Sequence, residues 1–150
     1  MALPVKLRHL PGRIATGAFI LNSGLAKRTA DDATEATLHG MAAGAYPFLQ
    51  KAEPKQFVRA LSTGEIALGT ALLLPVVPTA LAGAGLTAFA GGLIGLYLRT
   101  PGLREDGSLR PSAQGIGVAK DVWMLGLGAG LVLDALGERR RARRAARAEA

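Results

Sequence analysis

The sequence predicts an all-α integral membrane protein: a bundle of four transmembrane helices, with both termini cytoplasmic and a long loop after the first helix. Three observations carry that expectation. From Ile66 to Leu98 the chain holds no charged residue, and only Thr70, Thr79, Thr87 and Tyr97 interrupt its apolar and glycine content. Hydrophobic residues make up 49% of the chain before its 20 glycines are counted, more than a soluble domain of this size ordinarily carries. Small residues also recur at helical spacing, which lets helices approach closely inside a membrane.

One crossing of the hydrocarbon core takes about 20 residues, so the uncharged stretch is too long for a single span. Pro75 and Pro78, bracketing Val76 and Val77, supply the break. Proline lacks a backbone donor and drives its predecessor out of helical dihedrals. The expected hairpin crosses at 57–74 and returns at 78–98. A soluble bundle would have to bury this stretch on every side, and a chain this short offers too little interior.

Ahead of the hairpin, Lys6, Arg8 and Arg13 precede IATGAFILNSGLA without the apolar core and cleavage site of a signal peptide. That segment is short for a crossing. Arg13 and Lys27 can lengthen it by snorkelling, which gives a first helix over about 12–28. Arg13, Gly17, Ile20, Gly24 and Lys27 share one stripe of it. Asn22 sits near its middle and would seek a hydrogen-bond partner in the bundle, as packing glue.

Residues 28–56 read as the long loop. Asp31 or Asp32 can cap a short helix with Glu35 in its first turn. TLHGMAAGAYPFL is interrupted by Gly40, Gly44 and Pro47 and reads as interfacial or re-entrant. Tyr46 and Phe48 suit the headgroup level. His39 is a polar residue of that stretch, most simply a surface histidine.

In the hairpin, Leu61, Glu65, Leu68 or Gly69 and Leu72 share a face, and Ala84, Ala88, Gly91 or Gly92 and Gly95 form a small-residue seam. Tyr97 and Arg99 anchor its exit. After the turn-rich TPGLREDGSLRPSAQGIG, a last helix is expected over 116–136, with a stripe of Gly115, Ala119, Val122, Gly126 and Gly130. GLGAG within it is a packing motif, since no strand precedes it. The four helices make one domain over 1–137, followed by a basic cytoplasmic tail over 138–150.

The formal charge of +7 is concentrated in that tail, at Arg139, Arg140, Arg141, Arg143, Arg144 and Arg147. No aromatic residue interleaves them and no nucleic-acid motif accompanies them. They read, with Arg13, as topology and lipid contacts that fix the cytoplasmic side, and no nucleic-acid partner is expected. The chain has no cysteine, which excludes disulfides, thiolate metal sites and cysteine nucleophiles. His9 and His39 lie outside the apolar helices, so a haem ligated by two histidines inside the bundle is not available. No phosphate loop, histidine metal motif or serine elbow is present.

Glu65 is the one acid of the hairpin, whose other charge, Arg59, stands near its start. An ionised carboxylate at membrane depth has to face the bundle and be paired or neutral. Lys27 and Lys120 close or open their helices on the same side, so the expected polar pocket is Glu65 with Lys27 and Lys120, and Asp121 as a competitor. Asn22 joins the candidate set, and no catalytic residue is assigned. Two readings stay open: a cluster that fixes helix register, or a pocket for a quinone head group or small anion in which Glu65 exchanges a proton.

Arg13 before the first helix, GLAK at Gly24–Lys27, GEIALG at Gly64–Gly69, the glycine-rich third helix and Lys120-Asp121 opening the fourth together resemble the DoxX family of small four-helix membrane proteins. The likeness covers about residues 10–136; the basic tail and the long first loop depart from it. It implies a bacterial inner-membrane protein tied to redox physiology, either an accessory or scaffold subunit of an oxidoreductase or oxidative-stress assembly, or a quinone-reactive subunit. The partners expected from it are the lipid bilayer and other membrane or redox subunits. No cofactor bound covalently or through metal ligands is expected, with quinone the possible ligand. A small-solute transporter is the third reading.

Overall fold

The computed structural model describes residues 5–148; Met1–Pro4 of the expected N-terminal segment and Glu149–Ala150 of the expected tail lie outside the described residues. The described chain is all-helical, with no strand and one isolated bridge, Arg104 to Pro111. After a short 3-10 turn at Leu7–His9 come α1 (Leu10–Lys27), α2 (Asp32–Ala45), a second 3-10 turn (Pro47–Lys51), α3 (Pro54–Leu73), α4 (Thr79–Arg99), the single turn α5 (Ile116–Ala119) and α6 (Val122–Ala148).

The helix ends follow local chemistry. Pro11 and Pro54 sit in the first turns of α1 and α3, where a missing N–H costs nothing. Asp31 caps α2 by accepting from Thr34 N–H at 2.8 Å, with Asp32 and Glu35 in the first turn. α3 stops at Leu73, two residues before Pro75, and α4 starts directly after Pro78.

Three expectations need correction. The loop after α1 is mostly helical: α2 is a full 14-residue helix that buries Ala42, Ala43 and Ala45, so TLHGMAAGAYPFL packs on the bundle through small residues instead of forming a re-entrant segment. Its end is fixed by the Tyr46 hydroxyl, which donates to Gly92 O at 2.7 Å, with the Arg99 guanidinium 4.9 Å from the Tyr46 ring centroid. The last helix is interrupted at Lys120-Asp121. It then continues through the basic segment to Ala148, so the expected tail is the helical extension of α6.

The bundle is two close pairs, α1 on α3 and α4 on α6, meeting at a core of Ile20, Leu72, Ala82, Leu86, Ala90 and Met124. Glycines set the approach within each pair. A Cβ at Gly69 would stand 2.6 Å from Leu21 N, and one at Gly128 would stand 2.7 Å from Thr87 N. The α1 stripe is buried as its spacing predicts, at Arg13, Gly17, Ile20 and Gly24. The seams expected on α4 and α6 are not the ones that join these two helices, although Gly95 packs at Tyr46 and Gly115 at Leu103. Ala84, Ala88, Gly91, Gly126 and Gly130 are exposed, while Ala82, Gly83, Leu86 and Ala90 of α4 meet Met124, Gly128 and Leu131 of α6. Both helices carry small residues on several faces, so spacing offered more than one stripe.

Two helices are long and apolar enough to cross a membrane: α4, of mean hydropathy 1.6, and Ile116–Ala148, of mean hydropathy 1.5. Only 28% and 17% of their apolar windows are buried within the chain, so most of that surface faces outward. Phe19, Leu81, Trp123 and Leu133 are among the large exposed side chains.

Candidate functional site

α1 and α3 bring two of the predicted polar residues together. Lys27 Nζ donates to both carboxylate oxygens of Glu65, at 3.0 and 2.8 Å, and to Ser23 Oγ at 2.7 Å. Glu65 is only 5% exposed. The pair sits at a close approach of α1 and α3: a Cβ at Gly24 would lie 2.9 Å from Glu65 Cβ, and Ser62 Oγ donates to Gly24 O at 2.7 Å. The pairing ties the buried carboxylate of α3 to α1 and fixes the register of the two helices. Two clefts of about 450 and 280 Å³ flank Lys27 toward α2, and neither is lined by Glu65.

The other members of the expected pocket lie elsewhere. Lys120 and Asp121 line an apolar cleft of about 480 Å³ between α1 and α6, beside Thr16, Phe19, Trp123 and Met124. Leu127 packs at Gly12 and the Lys120 level falls near Phe19. That is eight residues, or about 12 Å of helical rise, from Lys27. The offset follows from the packing of Leu127 at Gly12 and of Gly128 at Thr87, which sets the height of α6. Asn22 is exposed on the outer face of α1 and is not part of the cluster. His39 Nε2 donates to Leu49 O at 2.9 Å, and the ring packs edge-on against Phe57.

Arg13 also departs from its expected place. It is 1% exposed and folded inward, so it is no lipid contact. Its guanidinium donates to Leu72 O at 2.8 Å, Ala71 O at 2.9 Å, Leu74 O at 3.0 Å, Val77 O at 3.2 Å and Thr79 Oγ1 at 3.4 Å. The reason lies in the turn. Within a helix Ala71 O would take the N–H of residue 75 and Leu74 O that of residue 78, and both are prolines. Arg13 supplies the donors that those prolines withhold, and its charge sits at the negative end of α3. Two signals were present in the sequence: a charged residue on the glycine stripe of α1, and two prolines spaced to strip the facing carbonyls.

From Arg13 a polar network runs on to the middle of α6, at Asp134 and Glu138. His9 is buried, with Nδ1 3.3 Å from Thr79 Oγ1 and Nε2 2.7 Å from Asp134 Oδ2. Arg8 donates to Asp134 Oδ2 at 2.7 Å and also to Glu138, which Lys6 pairs as well. The hydrogen bond to Asp134 holds the Arg8 guanidinium above its ordinary pKa. This clasp ties the start of α1 to the middle of α6, so Leu7–His9 and Asp134–Glu138 lie at the same level of the bundle. Sequence spacing gave no sign of it, because the partners are more than a hundred residues apart.

Fold and site together define a class: an all-helical chain with two helices able to cross a membrane and two polar ties inside an otherwise apolar bundle. Compared with protein-family models, with curated proteins and with solved structures, the chain finds no match in any of the three.

Proposed function

We propose that this chain is a multi-pass protein of a bacterial inner membrane, with α1, α3, α4 and α6 crossing and both ends cytoplasmic, and that it serves as an accessory or scaffold subunit of a membrane oxidoreductase or oxidative-stress assembly. The outward apolar faces of α4 and α6 support the membrane part of this reading. The resemblance of its motifs to the DoxX family supports the redox part. One observation favours a scaffold over a quinone-reactive subunit: both oxygens of Glu65 are taken by Lys27, and the carboxylate is buried at a close contact of α1 with α3. A proton donor for a ring oxygen has to be within reach of its substrate.

The test begins with whether the chain stays in membranes washed with alkaline carbonate. Gentle detergent extraction, affinity capture and mass spectrometry then show whether oxidoreductase subunits accompany it. Glu65→Gln separates the two readings. A scaffold loses assembly and turnover in parallel; intact assembly with lost quinone-dependent turnover would return the chemistry to Glu65.

A further inference from the structure

We infer that the helical extension of α6 beyond Glu138 is a docking surface for a soluble protein presenting an acidic helix. The inference rests on the membrane reading above. Arg139, Arg140, Arg141, Arg143, Arg144 and Arg147 are all exposed, and none takes part in an ion pair among the described residues. The chain from 139 to 148 contains no acid. Of the two acids that flank it, Glu138 is already held by Lys6 and Arg8, and Glu149 lies outside the described residues.

The helix organises these charges. At 100° per residue, Arg139, Arg140, Arg143, Arg144 and Arg147 fall within an arc of about 140°, and alanines occupy much of the opposite side. Arg139, Arg143 and Arg147 form a row with an interval of about 6 Å. Like charges at this spacing oppose each other, so the row is stabilised by a partner that neutralises it. An acidic helix with carboxylates four residues apart repeats the same interval, and each guanidinium can take a carboxylate through two parallel bonds.

Position decides among the polyanions. With α6 crossing the bilayer, its last large apolar residue is Leu136. Arg139–Arg141 then stand about 5 to 8 Å beyond it, among the headgroups, whereas Arg143, Arg144 and Arg147 stand about 10 to 16 Å out. At physiological salt the screening length is about 8 Å, so the outer three are largely beyond the pull of the lipid surface. Nucleic acid is disfavoured because the segment has no aromatic residue to stack on bases.

The experiment uses the full chain in phosphatidylcholine nanodiscs and a fluorescent helical peptide with glutamate at every fourth position, read by anisotropy. Binding is expected, weakening at least tenfold in Arg143→Gln/Arg144→Gln/Arg147→Gln and less than threefold in Arg139→Gln/Arg140→Gln/Arg141→Gln. No binding, or equal binding by the outer triple variant, overturns the inference. So does tighter binding of a labelled duplex RNA of matched charge, or outer-arginine protection that appears only when phosphatidylglycerol is added. Carbonate extraction of the same preparations separates the two failures. A chain that resists carbonate and ignores the peptide overturns this inference alone; one that carbonate releases overturns the membrane reading on which the arginine heights depend.

Discussion

Replacing Arg13 by methionine tests the central structural claim, that a buried guanidinium stands in for the donors missing at two prolines. The substitution keeps most of the apolar stem and removes every donor. The carbonyls of Ala71, Leu72 and Val77 lose the bond that Arg13 supplies, while Leu74 O retains Val77 N–H at 3.2 Å. Leaving a buried carbonyl unsatisfied costs about 1 kcal/mol at the least, so the loss is expected to be about 3 kcal/mol or more. Arg13→Lys is expected to recover part of it, since one ammonium cannot spread its donors over carbonyls from Ala71 to Val77. Reversible unfolding in mixed micelles, followed by the fluorescence of the chain's one tryptophan, gives the difference directly. A loss under about 1 kcal/mol for Arg13→Met would show that water or a relaxed turn satisfies those carbonyls, and the account of the hairpin would be wrong.

Three further outcomes are expected. Gly128→Ala should destabilise the bundle, because its Cβ would stand 2.7 Å from Thr87 N, whereas Gly126→Ala, with open space at its Cβ, should be neutral or gain up to about 1 kcal/mol of helix propensity; thermal unfolding of the two variants decides which face of α6 is packed. Hydrogen bonding from Thr34 holds the Asp31 carboxyl below its ordinary pKa, so its cap is in full force above the usual carboxylate range and is lost as pH falls through the depressed value. Amide exchange in the first turn of α2 should accelerate over that acid interval, and exchange that stays flat there would remove Asp31 as the cap. Asp134→Asn should loosen the start of α1, seen as faster exchange around Leu7–Arg13, while leaving the α1–α3 contact at Gly24 protected.

Much of the fold was legible in the residues because its signals are local. Pro75 and Pro78 end one helix and admit the next wherever they stand, and a run without charge between them and Arg99 reads the same in any context. The stripe from Arg13 to Lys27 was legible because α1 has a single set of small residues in helical register. α4 and α6 were not, since their alanines and glycines lie on several faces and only the partner helix selects one. The start of the helix at Asp31 was legible from its cap, but its length was not: Gly40 and Gly44 look like breaks, yet neither glycine meets a neighbour and the helix continues through both.

The candidate site divides along the same line. Glu65 is conspicuous in sequence because a carboxylate between apolar residues needs a partner, and Lys27 was the partner on the stripe that faces it. Lys120 shares its type and its place at a helix end, but the depth at which α6 begins is fixed by packing of Leu127 at Gly12 and of Gly128 at Thr87. The sequence by itself determined that this chain is helical, apolar and broken at two prolines, because those properties follow from composition and backbone chemistry within a few residues. Only the tertiary structure decided that Arg13 turns inward to the end of α3, that His9 and Arg8 reach Asp134, and that Glu65 meets Lys27 alone. Each depends on distances between helices that no local rule specifies.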